Sequence, residues 1–145
     1  MNTMRQEVVR IARAWIDVPF KHQGRSRQDG VDCLGNVIVV VHTLDLSQFD
    51  VTGYRRYPAG VGSKSIEQVC REQMQQKDPV DMQPGDIGLF LIDKRPRHMC
   101  IFADYAHGGM SMIHSYEPAG KVVEHALDSR WLTLLCGVYQ LPGVD

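Results

Sequence analysis

Apolar residues recur at Met4, Val8, Ile11, Ala12 and Trp15, a helical spacing with one core-facing side. Thr3-x-x-Gln6 fits a capping box, so residues 3–16 are predicted as an amphipathic helix that ends at Asp17-Val18-Pro19. The next apolar run, Val37-Ile38-Val39-Val40-Val41, is continuous. Five β-branched residues favour a strand by propensity. The flanks lack strand alternation, however, and Asp32 stands where an N-cap belongs, which suits a helix buried all round. Residues 33–45 are therefore read as a helix. Residues 46–62, with Gly53, Pro58, Gly60 and Gly62, read as a long loop. Ser65-x-x-Gln68 offers a second capping box, and Ile66, Val69, Cys70 and Met74 share a face. That pattern predicts a helix to about Lys77, stopped by Pro79.

From Val80 the period changes. Gln83-Pro84-Gly85-Asp86 is a turn, and Ile87–Ile92 a buried strand. Asp93–Arg97 reads as a basic turn, His98–Ala103 as the next strand, His107-Gly108-Gly109 as a tight turn and Met110–Ser115 as a third strand. Lys121–His125, a short helical piece around Leu127–Trp131 and a last strand through Leu134–Leu141 follow. Helices first and antiparallel strands second argue an α+β fold. With no repeat, low-complexity tract or linker, residues 1–145 are expected to form a single domain.

Composition narrows the function classes. Apolar content of 43% and charged content of 23% are ordinary for a globular protein. A formal net charge of −1 points to neither nucleic acid nor an anionic membrane as partner. No apolar run is long enough to span a bilayer. Met1–Glu7 lacks the apolar core of a signal peptide, so the chain is expected in the cytoplasm when synthesised unless something else carries it out. Cys33, Cys70, Cys100 and Cys136 are widely spread without C-x-x-C spacing and are read as free thiols.

Gly30-Val31-Asp32-Cys33-Leu34-Gly35-Asn36 is the stretch with candidate chemistry. A cysteine in the first turn of a helix meets unpaired backbone N–H groups that favour thiolate over thiol. The alternative is a small buried hydrophobe, the commoner fate of a free cysteine. A cysteine nucleophile needs a base, and the base needs a third group to orient it. If the two strands flanking His107-Gly108-Gly109 form a hairpin, His98 at the start of one lies beside His114 near the end of the next. Cys33 as nucleophile, His98 as base and acid, and His114 as orienter then form one constellation. His22, His42, His107 and His125 have no such geometric claim. A zinc site of Cys33, His98, Cys100 and His114 is the rival, but the i,i+2 spacing of His98 and Cys100 is uncommon for structural zinc, and no metal or other cofactor is expected. In the loop from Phe20 to Gly30, Arg25 and Arg27 are candidates for binding a substrate carboxylate, or else solvated arginines.

Gly30-Val31-Asp32-Cys33-Leu34-Gly35, Gln83-Pro84-Gly85-Asp86-Ile87, His98-Met99-Cys100-Ile101-Phe102 and Ile113-His114-Ser115, in that order, resemble the NlpC family of papain-like cell-wall cysteine peptidases. The loop Pro19–Ser26 resembles in particular the branch found with phage tails and prophages. The resemblance implies a papain-like α+β fold, with the cysteine at the start of a central helix packed on an antiparallel sheet. It implies hydrolysis of amide bonds in peptidoglycan stem peptides, with phage tail proteins as further partners. Cys33 takes the nucleophile position, His98 the base position and His114 the orienting position. Asp32 precedes the nucleophile as in the family and, with Phe20, His22 and Arg25, is a candidate substrate-binding residue. Two positions depart from the pattern. Phe20 stands near the place of a family tyrosine and lacks its hydroxyl, for which His22 is the candidate substitute. Leu34 replaces the usual serine after the nucleophile, which bears on packing more than chemistry, because a backbone N–H serves an oxyanion whatever the side chain. The alternatives are a structural or assembly component of a tail tip that keeps the fold without activity, and an amidase or acyltransferase of the same fold.

Overall fold

The computed structural model describes residues 2–54 and 65–145 and centres on a six-stranded antiparallel sheet. Helix α1 (Met4–Ala14), a small hairpin of β1 (Arg25–Ser26) and β2 (Gly30–Val31), helix α2 (Cys33–Thr43) and helix α3 (Ile66–Gln73) come first. The strands β3 (Gln75–Lys77), β4 (Ile87–Ile92), β5 (Arg95–Asp104), β6 (Met110–Tyr116) and β7 (Lys121–Ala126) follow, then α4 (Ser129–Leu134) and β8 (Leu135–Gln140). The sheet order is β3-β8-β4-β5-β6-β7. The α+β class and the helices packed on an antiparallel sheet are as the sequence implies.

Local chemistry explains the helices that matter. Thr3 caps α1 through the Gln6 N–H, and the Gln6 side chain answers the Thr3 N–H at 2.8 Å, so the capping box closes in both directions. Asp32 caps α2, accepting from the Gly35 N–H at 2.7 Å. Every residue of α2 from Leu34 to Val41 is buried, which is why a run of β-branched residues remains helical: packing on all sides outweighs propensity. The α2 residues share one core with Val8 and Ala12 of α1 and with Met99, Ile101 and Ile113 of the sheet. Alternating residues of the same strands, Cys100, Phe102 and Met112, join Phe90, Val138 and Trp131 in a second core.

Three boundaries differ most from the sequence reading. Helix α3 ends at Gln73, and Gln75–Lys77 pair with β8 in place of a further helical turn. The stop is tertiary: Met74 is extended and buried, and the Lys77 ammonium reaches the fully buried Asp86 at 2.9 Å, beside Arg5 of α1 at 2.8 Å. The basic turn shortens to Asp93-Lys94, both with positive φ (50° and 66°), as a two-residue hairpin turn requires, and β5 starts at Arg95. The short helix lies later than expected, at Ser129–Leu134, capped by Asp128. Of the predicted loop 46–62, residues 46–54 carry no helix or strand, and 55–62 lie outside the described residues.

The hairpin β1–β2 interrupts the stretch from Phe20 to Gly30 that reads as plain loop, pairing Arg25 with Val31. It lies hard against the head of α2. A Cβ on Gly35 would come 2.3 Å from the Gly24 carbonyl oxygen, so only glycine allows this approach.

Candidate active site

Cys33 is the first residue of α2, half-buried, and its thiol makes a long contact of 3.9 Å to the Arg97 carbonyl. The Met99 N–H also acts on the sulfur. The nucleophile candidate therefore rests against the main chain on both sides of His98.

His98 and His114 come together as the hairpin reading requires. Met112, His114 and Tyr116 alternate onto one face of β6, as His98, Cys100 and Phe102 do on β5. His98 Nε2 and His114 Nδ1 are 2.6 Å apart. The chain then continues to a residue the sequence reading left aside: His114 Nε2 lies 2.7 Å from His125 Nε2, and His125 Nδ1 lies 2.9 Å from the Ala126 carbonyl oxygen. His125 faces Met112 across the β6–β7 ladder and so reaches His114 diagonally. The Trp131 ring covers all three imidazoles, with centroids 5.9, 5.3 and 5.7 Å away. These nitrogen separations are hydrogen-bond distances. Two nitrogens on one tetrahedral zinc would stand about 3.3 Å apart.

The electrostatics reverse one expectation. Burial, and then the neighbouring Asp32 carboxylate, push the Cys33 thiol up to about 12, although the N–H groups of Met99, Leu34 and Cys33 itself pull the other way. A rise from 9.0 to about 12 corresponds to roughly 4 kcal/mol against the thiolate. A helix start offers only about 0.3–1 kcal/mol in its favour, so desolvation wins. Burial, with a smaller contribution from His125, lowers His98 to about 4, and burial lowers His114 as well. At neutral pH the site is thus a thiol beside neutral imidazoles.

The four candidate substrate-binding residues divide. Asp32 is turned inward: besides Gly35 it accepts from the Gln23 N–H at 2.7 Å, the Tyr54 hydroxyl and Arg25 at 3.3 Å. The Arg25 guanidinium donates to Asp50, the Gly24 carbonyl, Asp32, the Val51 carbonyl and Tyr54, which spends its fork inside the protein. His22 stands edge-on to Tyr54, with centroids 5.5 Å apart, and its Nδ1 is 3.9 Å from Asp32. Phe20 is half-buried, and its N–H donates to the Gly120 carbonyl. Arg27 lies elsewhere, over the Trp15 ring and bonded to the Ala14 carbonyl. Among the described residues, Tyr54 is the tyrosine of this corner. Burial and Asp32 push its phenol well up, so it stays a hydroxyl donor.

A cysteine at the head of a buried helix, seated on the strand that carries the first imidazole of a histidine chain, suits nucleophilic thiol chemistry. The chain belongs to the NlpC/P60 family, whose pattern matches residues 17–139. Members of that family are cysteine peptidases and hydrolases, among them peptidoglycan hydrolases. Three solved structures share the fold. The NlpC/P60 domain of the peptidoglycan hydrolase SagA is 19% identical, with 97% of this chain and 100% of that one covered and a TM-score of 0.64. An NlpC/P60 family protein from Bacillus cereus is 16% identical, with 94% and 40% covered and a TM-score of 0.71. NlpC2 from Trichomonas vaginalis is 14% identical, with 97% and 48% covered and a TM-score of 0.73. The chain therefore spans the whole of the first and less than half of the other two. No curated protein sequence matches it significantly.

Proposed function

We propose that this chain is a cysteine amidohydrolase that cleaves amide bonds in the peptide stems of peptidoglycan, with Cys33 as nucleophile, His98 as base and acid, and His114 as its orienter. The observation that carries the reading is the contact of the Cys33 sulfur with the main chain flanking His98, whose ring is joined to His114 at 2.6 Å. With Nε2 given to His114, Nδ1 is the His98 nitrogen left for the sulfur. The Cys33 proton passes to His98 Nδ1 as sulfur bonds to the scissile carbonyl carbon. The Cys33 backbone N–H holds the oxyanion, at the start of a helix where such donors are unpaired. His98 returns the proton to the leaving amine as the C–N bond breaks, then takes one from the water that releases the acyl group. Because both partners rest neutral, the thiolate forms during attack and is not held in advance.

Stem peptides are the proposed substrate because SagA, similar over its whole domain, is described as a peptidoglycan hydrolase. The chain is further proposed to act as a single catalytic unit, made in the cytoplasm and carried to the wall with a phage or prophage tail. The Pro19–Ser26 loop supports that placement. The test is digestion of purified peptidoglycan and of isolated muropeptides, resolved by mass spectrometry. Wild type should release new amino termini, and Cys33→Ala should release none while melting like wild type. Equal release by both would overturn the mechanism. Tail placement is tested separately by looking for the chain in purified particles; particles lacking it would remove the tail and leave the hydrolase.

A further inference from the structure

The histidine chain does not stop at the orienter, and its far end is chemically one-sided. A backbone carbonyl only accepts, so the contact of Ala126 with His125 at 2.9 Å puts the proton on His125 Nδ1. Neutral His125 then has a lone pair at Nε2, and the 2.7 Å contact makes His114 Nε2 the donor. Neutral His114 in turn has its lone pair at Nδ1, and the 2.6 Å contact makes His98 Nε2 the donor. The last consequence is a lone pair on His98 Nδ1, the form a base must have.

We propose that His125 is a positioning residue of the catalytic site, and that the Ala126 carbonyl, acting through His125 and His114, fixes the His98 tautomer as the base. This rests on the reading of Cys33 and His98 given above. A third imidazole bonded only to water or to a rotatable hydroxyl would leave both directions of the chain open. With the carbonyl as terminus, only one direction satisfies all three bonds while every ring is neutral. Burial of His98 and His114 keeps those rings neutral. Trp131 packs across all three and holds their planes. Adjacent Glu124 is engaged elsewhere, with Arg13 and Ser111, and among the described residues the His125 ring meets Trp131, His114 and the Ala126 carbonyl. When the Cys33 proton reaches His98 Nδ1, the same chain stabilises the imidazolium, because His114 already accepts from Nε2.

The experiment is long-range nitrogen–proton NMR of the histidine rings in the full chain at about pH 8, beside kcat and KM for muropeptide hydrolysis. Wild type should show protons on His98 Nε2, His114 Nε2 and His125 Nδ1. His125→Leu should mix the tautomers of His114 and His98 and lower kcat by about tenfold or more with KM little changed. His125→Gln keeps an acceptor for His114 and should recover most of the loss. A proton on His98 Nδ1 in wild type overturns the proposal without any variant. So does a folded His125→Leu chain with unchanged tautomers and kcat. The expected tautomers in a chain that cleaves no muropeptide would instead refute the substrate reading and leave the histidine relay standing.

Discussion

Burying neutral imidazoles has a thermodynamic signature in acid. His98 is 8% exposed, and its folded value of about 4 lies below the ordinary 6.5. Between those two values the unfolded chain binds a proton at this position and the folded chain does not. Stability is therefore fully present above about pH 6.5 and is lost as the pH falls toward 4. The difference of 6.5 and about 4 amounts to roughly 3 kcal/mol for His98 alone, and His114, lowered as well, adds to it in the same direction. That is a large share of the about 5–15 kcal/mol of a typical domain. Urea unfolding at intervals from pH 7.5 to 4 measures it directly. Wild type should lose about 3 kcal/mol or more over this range, mostly before ordinary carboxylates titrate. His98→Gln, which has no proton to gain, should lose less by roughly the His98 share. A wild-type profile that is flat from pH 7 to 4.5 would mean that His98 is not held neutral, and the account of the resting site would fail with it.

Removing the buried acid at the sheet's other end tests a structural charge. Asp86→Ala leaves Arg5 and Lys77 facing an empty acceptor and should cost about 3–5 kcal/mol in urea unfolding, without moving the histidine-dependent acid transition. Asp32→Asn keeps an oxygen at the N-cap but removes the charge that opposes the thiolate. Cys33 should then alkylate faster near neutral pH, about a few-fold, as read by peptide mapping against Cys136, while the free energy of unfolding falls because Arg25 and Tyr54 lose a charged acceptor; an unchanged Cys33 rate would mean that burial alone sets its acidity. Asn36 is 1% exposed, and its amide has no hydrogen-bond partner among the described residues. Asn36→Leu should therefore stabilise the fold by about 1–3 kcal/mol in a urea or thermal melt.

What could be read from the chain was what depends on neighbours in sequence. Asp32, after the Asp29-Gly30 turn and before the apolar run, stands where a cap belongs, so the place of Cys33 at a helix head followed. His98 and His114 flank a glycine turn at hairpin distance, and their meeting followed from that. His125 escaped because its claim depends on the β6–β7 register, which pairs it with Met112, and nothing local to Lys121–Ala126 specifies that offset. An imidazole on a strand next to one already carrying His114 is the one signal that could have raised it. Tyr54 escaped for the same kind of reason, since its bond to Asp32 spans 22 residues of chain. The acidity of Cys33 had the wrong sign because a helix start is visible in sequence and burial is not.

Charge in this site is segregated, and the segregation bears on how it works. On one side of Cys33 stands a knot of Asp32, Arg25, Asp50 and Tyr54, in which each charge has a partner within the knot. On the other runs a histidine chain that starts buried at His98 and ends on a carbonyl dipole in place of a carboxylate. A carboxylate at that end would stabilise imidazolium in the resting state and raise His98. A carbonyl sets direction without adding charge. The knot then has a structural task, fixing the loop and hairpin on the head of α2 where Gly35 meets Gly24. Its carboxylate costs the thiolate something, and the arrangement tolerates that cost because Asp32 also caps the helix that presents the sulfur. On the proposed mechanism the proton inventory is accordingly one thiol proton and one base lone pair, both held until a carbonyl arrives, with the proposed direction of transfer set at the far end of the sheet by Ala126.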